Sequence, residues 1–179
     1  MKRTQPPERI ETDRLHIQRL RYEDAEEIFY TYASKPEATR FVSWSTHQFV
    51  DDTRAYLKYA VHAWNQGTDF SYSVRLKKDN RLVGAIGLVH AAGTMQVGYV
   101  FSPVHWGQGY ATEVCKAVLP ALKQIEGITR ITSLVDQENG ASIRVLRKAG
   151  FQEVGLLPGG LTFPNQQNAV KTCLVFEYL

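Results

Sequence analysis

Residues 101–114 read FSPVHWGQGYATEV and set Gly107 and Gly109 one residue apart, where an apolar strand gives way to a helix. The first turn of a helix leaves amide N–H groups without intrahelical acceptors and carries about half a unit of positive charge. An anion can be held there by main chain alone, and glycine lets it come close. The spacing therefore predicts a diphosphate cradle built from the amides of Gly107, Gln108, Gly109, Tyr110, Ala111 and Thr112. A plain helix entry uses the same residues. Two better-known phosphate loops do not fit: a Walker loop needs Lys where Tyr110 stands, and a dinucleotide fingerprint has no room for Ser-Pro-Val-His-Trp between strand and glycines.

About 30 residues on, VDQENGASIRVLRKAGF again feeds a strand into a helix start. Asn139 suits an N-cap and Ser142 falls in the first turn, so each has a capping explanation of its own. With the glycines they form paired strand ends of the kind between which a ligand sits in an open sheet.

The elements that must position these residues follow from periodicity. RLHIQRL alternates as a strand, and RYEDAEEIFYTYAS is helical, with acidic residues in its first turns. KPEATRFVSWSTHQ reads as a loop or broken helix. In the helix that follows, Phe49, Thr53, Tyr56, Leu57, Ala60 and Trp64 make one stripe that Gly67 ends. DFSYSVRL and RLVGAIGLV form a hairpin around KKDN, and TMQVGYVF is a strand in which Gly98 signals a bulge or a close backbone approach. A helix spans Tyr110–Gln124 with Pro120 expected to kink or shorten it. ITRITSLV is a strand, the Asn139 helix closes at Gly150, and FQEVGLL and AVKTCLVFEYL are closing strands separated by a loop from Pro158 to Asn168.

The chain has 179 residues, enough for one domain with a substantial core, and residues 1–9 with Pro6 and Pro7 read as a loose lead-in. A net charge of +3 spread along the chain does not imply nucleic acid and would suit an anionic ligand. Cys115 and Cys173 lie far apart as buried thiols, no metal-ligand spacing occurs, and no long apolar stretch implies a membrane. The expected location is the cytoplasm.

Strand VGYVF, then WGQGYATE, then a strand, N-x-x-S and KAGF resemble the GNAT superfamily of N-acetyltransferases, and within it the RimJ/RimL-like branch of protein N-terminal acetyltransferases. ETDRLHIQRLRYEDAEEIF, SKPEATRFVSW and RLVGAIGL are similar too, so the resemblance runs from Glu11 to Leu179. Trp106 departs from the Gln or Arg of many members, and Gln96 stands where an acidic residue often precedes Gly-Tyr.

The resemblance implies an α/β fold, a strongly twisted mixed sheet of about seven strands flanked by about four helices. It implies acetyl-CoA entering where MQVGYVF and TRITSLV splay, with Gly98 bending the first. The main chain of Tyr99, Val100 and Phe101 would then pair with the pantetheine arm, and a backbone N–H near Tyr99 would face the thioester oxygen. Trp106 through Thr112 belong to the cofactor loop, Asn139 would hold the arm, and Ser142 would donate to the leaving sulfur. Arg144, Arg147 and Lys148 lie near enough in sequence to reach a cofactor phosphate. His90, His105 or water are the candidates for deprotonating the acceptor amine. A free α-amine titrates at about 7.7–8.0 and lysine near about 10.4, so an N-terminal amine needs the least help and is the expected acceptor. Arg40, Trp44, Thr46, Tyr72 and PGGLTFPNQQN are the candidate substrate lining. The competing readings are a small-molecule amine acetyltransferase (polyamine, amino acid or antibiotic) and a CoA-binding sensor without turnover. Monomer and homodimer stay open.

Overall fold

The computed structural model describes residues 4–179. Its elements are β1 (Arg9–Glu11), β2 (Leu15–Arg19), α1 (Ala25–Ile28, prolonged by a π-helical stretch over Phe29–Ala33), α2 (Pro36–Thr39), α3 (Val50–Gln66), β3 (Asp69–Leu76), β4 (Leu82–Ala91) and β5 (Thr94–Phe101). Then follow α4 (Tyr110–Leu122), β6 (Arg130–Asp136), α5 (Gly140–Ala149), β7 (Gln152–Phe163) and β8 (Ala169–Glu177). The strands form one sheet in the order β1-β2-β3-β4-β5-β6-β8-β7, and only β5 and β6 run parallel. The expected mixed α/β sheet is present, with eight strands and five α-helices. The additions to the expectation are the three-residue β1 and the single-turn α2.

Strand alternation sorts the core. Ile17, Val74, Ile86 and Val97 are buried on one face with Val114 and Val118 of α4 and Leu146 of α5. Ala85 and Val100 meet Ile28 of α1 and Leu57 and Ala60 of α3 on the other. Each large apolar side chain so buried contributes about 1.5–3 kcal/mol. The helices after the first long strand, α1 and α3, share this side. Arg75, buried on β3, binds Asp24 at 3.1 Å and Glu27 at 2.6 Å and fixes α1 over the sheet.

Several expectations are corrected. Phe49 is not in the α3 stripe: it is the N-cap, 72% exposed, and its amide donates to the Asp52 carboxylate at 2.9 Å. The lead-in is not loose from Pro6 onward, because Pro6 is buried, the Tyr72 hydroxyl donates to the Pro7 carbonyl at 2.8 Å, and Arg19 donates to Glu8; residues 1–3 lie outside the described residues. Pro120 falls in the last turn of α4, which ends at Leu122. Most of the loop expected from Pro158 is strand β7: Pro158, Gly159 and Gly160 are absorbed in a register shift between Leu157 and Leu161, and pairing with β8 resumes at Leu161↔Lys171. Ladder pairing on both sides of the bulge outweighs the local turn chemistry. Gly98 makes no bulge, since β4 and β5 pair without interruption from Gly84↔Phe101 to Ala91↔Thr94.

Candidate active site

The only parallel junction of the sheet among the described residues is short. β5 and β6 pair at Thr94↔Arg130, Met95↔Ile131 and Gln96↔Thr132, and the Ser133 hydroxyl then donates to the Val97 carbonyl at 2.8 Å. Beyond that stitch β6 keeps its pairing with β8 but none with β5, whose edge is left bare. Val97 presents its carbonyl to this edge, so by the two-residue alternation Tyr99 presents its N–H and C=O there as well. The fork expected between these strands is thus present: β5 keeps its pairing with β4 while β6 parts from it.

Below the fork, Gly107 and Gly109 have φ of 73° and 80°, the left-handed region that favours glycine. A Cβ on Gly107 would meet nothing within 4 Å, and one on Gly109 would meet only the Arg14 guanidinium at 3.6 Å. Among the described residues no protein acceptor takes the amide N–H groups of residues 107–112. Six free donors facing open space at a helix start fit a diphosphate. The half-exposed Trp106 pins the approach, donating its indole N–H to the Phe101 carbonyl at 2.9 Å.

Arg14, which sequence reasoning missed, clamps this corner. It donates to Glu113 at 2.7 Å and to the Gln108 carbonyl at 3.0 Å, and its guanidinium lies 4.5 Å from the Tyr110 ring centre. Thr12 also donates to Glu113, at 2.5 Å. Burial would raise the Glu113 pKa, but the Thr12 and Arg14 donors outweigh it and hold the carboxyl below its usual range. The β1–β2 turn is thereby tied to the start of α4.

On the far side of the fork, Asn139 caps α5: its side-chain oxygen accepts from the Ser142 amide at 3.1 Å, which leaves its Nδ2 for a ligand. The Ser142 hydroxyl stands 2.7 Å from the Tyr99 hydroxyl, which also donates to the Ser142 carbonyl at 3.3 Å. Burial pushes the Tyr99 pKa far above the ordinary phenol value, so the pair is fully protonated at neutral pH. Only the main chain of Tyr99 was expected to matter; its hydroxyl also meets the cleft-lining Ser142.

A cleft of about 450 Å³ joins the two faces of the sheet through the fork. Tyr99, Asn139 and Ser142 line it on one side, and Trp44, His47, Tyr56, Asp69 and Ser71 on the other, with Gly87 and Gly98 as its floor. Of the candidate substrate-lining residues, Trp44 lines this cleft. Arg40 and Thr46 line an adjoining open groove with Asn165 and Gln166. Asn165, from the expected late segment, fastens this wall by donating to the Thr39 and Trp44 carbonyls and accepting from the Thr46 amide. Tyr72 is not lining: it is fully buried against Trp64, with its hydroxyl on Pro7.

Neither expected histidine reaches the cleft. His90 sits at the end of β4, its Nδ1 3.4 Å from the Gly67 carbonyl, and His105 packs near Tyr110, where burial and then Arg81 and Lys78 lower its pKa. Arg147 is engaged by Glu153 at 2.8 Å, and with Lys148 it lies in the last turn of α5, at the other end of the helix from Asn139; Arg144 folds back over Gly140. The histidine that does line the cleft is His47, whose Nδ1 is 2.7 Å from the Thr53 hydroxyl and whose pKa burial lowers. Asp69 is the other missed residue, 8% exposed at the start of β3. Both free cysteines are buried as expected. No helix among the described residues is long and apolar enough to cross a membrane.

Comparison with known proteins agrees with this geometry. Residues 14–152 match the family model described as an acetyltransferase (GNAT) domain. The chain is 29% identical over 151 residues to an uncharacterized N-acetyltransferase, YoaA, of Bacillus subtilis, covering 83% of this chain and 85% of that one. Among solved structures it is similar to a GNAT-family acetyltransferase from Bacillus anthracis, with a TM-score of 0.81, 24% identity and coverage of 96% and 98%. It is also similar to RimL, a ribosomal-protein alpha-N-acetyltransferase crystallised with coenzyme A, with a TM-score of 0.85, 14% identity and coverage of 96% and 98%. A family match that spans most of the chain, from the turn before β2 into β7, carries the conclusion: the protein belongs to the GNAT N-acetyltransferases, acyltransferases that draw their acetyl group from acetyl-CoA.

Proposed function

We propose that the acceptor is the α-amine at the N-terminus of a peptide or protein, acetylated by direct attack in a ternary complex. The observation that carries this reading is the cleft at the fork, whose lining runs from Asn139 and Ser142 past Tyr99 and Gly98 to Trp44 and Tyr56. An extended N-terminus can enter along Trp44 and present one nitrogen at the fork. RimL, which bears this fold, is named for such a reaction, and that likeness supports the choice.

Acetyl-CoA supplies an activated acyl thioester. On the protein side, the amides of residues 107–112 would hold the diphosphate, and the Asn139 Nδ2 and the bare edge of β5 would hold the arm. The Tyr99 N–H, at that edge, would bind the carbonyl oxygen as charge develops on it; one such preorganised donor is worth about 3 kcal/mol of barrier. Ser142, hydrogen-bonded to the ever-protonated Tyr99, would donate to the departing sulfur. Arg144, Arg147 and Lys148 remain solvent-side cations of α5 and have no part in this scheme.

Release of CoA thiol is to be measured across free-N-terminus peptides, spermidine, amino acids and aminoglycosides, with the acetyl group located by mass spectrometry. Acetylation of peptide α-amines is the expected result. Acetylation confined to small amines would replace the acceptor assignment, and tight CoA binding with no acetylated amine would leave a sensor.

A further inference from the structure

The geometry points to Asp69, acting through the hydroxyl of Ser71, as the proton acceptor for the attacking amine. The inference rests on the acetyl-transfer reading of the fork and not on the choice of peptide as acceptor.

Ser71, Gly87 and Gly98 are cross-strand partners in one row over β3, β4 and β5, so their side-chain positions face the same side of the sheet. Two of the three have no side chain. The Ser71 Oγ stands 3.8 Å from the point a Cβ on Gly87 would occupy, and the Gly98 carbonyl oxygen stands 4.0 Å from the same point. The hydroxyl is therefore at most about 8 Å from the Gly98 carbonyl oxygen, which turns to β4 next to the Tyr99 main chain of the fork, a gap that one or two waters would bridge.

The hydroxyl is already aimed. Ser71 donates to the Asp69 Oδ1 at 2.9 Å, and the Tyr56 hydroxyl lies 3.2 Å from the Ser71 Oγ. With its own proton turned to Asp69, the Ser71 oxygen offers its remaining lone pair to the cleft. Burial raises the Asp69 pKa, and the Ser71 and Tyr59 hydroxyls pull it partly back, so the carboxylate is a better base than an exposed one. Burial pushes the Tyr56 hydroxyl up to about 12 and keeps it a donor. The groups facing Asp69 are Tyr56 and Tyr59 from α3 and, along its own row, Val89 of β4 and Gln96 of β5; none is a cation.

The other carboxylate and the imidazole that line the cleft are engaged away from Gly98. Asp136 is held by Lys171 at 2.9 Å, Gln166 at 3.2 Å and the Glu138 amide at 3.0 Å. His47 is bound to Thr53 and packed at a tilt against Trp44, with ring centres 5.1 Å apart. In the step itself an ammonium proton passes, directly or over bridging water, to the Ser71 oxygen while the Ser71 hydroxyl proton passes to Asp69. The nitrogen keeps its electron pair for attack, and Asp69 becomes a neutral carboxylic acid that later returns its proton to solvent through the cleft.

The test compares wild type, Asp69→Asn, Ser71→Ala and His47→Gln with three amines: an alanyl peptide amide, spermidine, and aminoacetonitrile, which is already neutral at pH 7. Both Asp69→Asn and Ser71→Ala should lower kcat/KM for peptide or spermidine at least 30-fold, lower it less than threefold for aminoacetonitrile, and leave the acetyl-CoA Kd unchanged, which also shows that the variants fold. Equal losses for all three amines, no loss with any, or the selective loss appearing in His47→Gln instead would overturn the assignment. Wild-type turnover of spermidine without the peptide removes the peptide reading and leaves Asp69 to be judged on spermidine against aminoacetonitrile. Turnover of none of the three overturns both.

Discussion

Replacing Gly98 with valine should separate stability from activity. Gly98 lies inside β5 with an ordinary negative φ, and a Cβ built there meets nothing within 4 Å. Glycine inside a strand costs roughly 0.5–1 kcal/mol relative to alanine, so the substitution removes a penalty and its Cβ enters open space. For a chain of this length that corresponds to a rise in Tm of about 1–4 °C. The proposed reading puts the amine in that same space. A displacement of about 1 Å from attack geometry costs on the order of 100-fold, and an isopropyl group on this floor displaces the nitrogen further than that. We expect kcat/KM for the amine to fall at least 100-fold, about 2.7 kcal/mol, with the acetyl-CoA Kd changed by less than threefold. Calorimetric melting, titration calorimetry and thiol-release kinetics on one preparation read all three quantities. A stable variant with undiminished turnover would show that the acceptor does not pass Gly98.

Other outcomes follow from the same geometry. Gly109→Val forces a β-branched residue to a φ of 80° in front of the free amides and should raise the acetyl-CoA Kd at least tenfold, about 1.4 kcal/mol, by titration calorimetry. Ser142→Ala and Tyr99→Phe should each lower kcat more than they weaken cofactor binding, since the hydroxyl pair is spent on the leaving group; equal loss in both quantities would assign it to binding. His47 should make the fold acid-sensitive. Its folded pKa lies below its unfolded value near about 6.5, so as pH falls from 7 toward 5 the unfolded chain takes up the proton first and stability drops; His47→Gln should flatten the fall in Tm over that window.

The parts of the site made by main chain were legible in the sequence. Gly107, Gly109 and Asn139 announce themselves because a left-handed φ and an N-cap are local demands met by few residue types. The acceptor side was not, because its residues come together only across the sheet. Asp69 opens a strand that reads as ordinary, His47 sits in a segment without periodicity, and Ser71 gains meaning only from Gly87 and Gly98 beside it. Arg14 lies 99 residues from the Glu113 that it holds. Tyr72 misled for the converse reason: an aromatic residue in an alternating strand belongs to one face or the other, and pairing with Arg19 and Ile86 places it under Trp64. The turn residues at Pro158–Gly160 misled because a bulge uses the same residue types as a loop.

Titration of ¹⁵N-labelled protein with CoA, followed by amide chemical shifts, tests the central claim most directly. The account predicts that the largest shifts fall on the amides of residues 107–112, with Tyr99 and Asn139 next and the β1–β2 turn around Arg14 moving with them. Saturable binding that leaves those six amides in place and shifts another part of the sheet would contradict it.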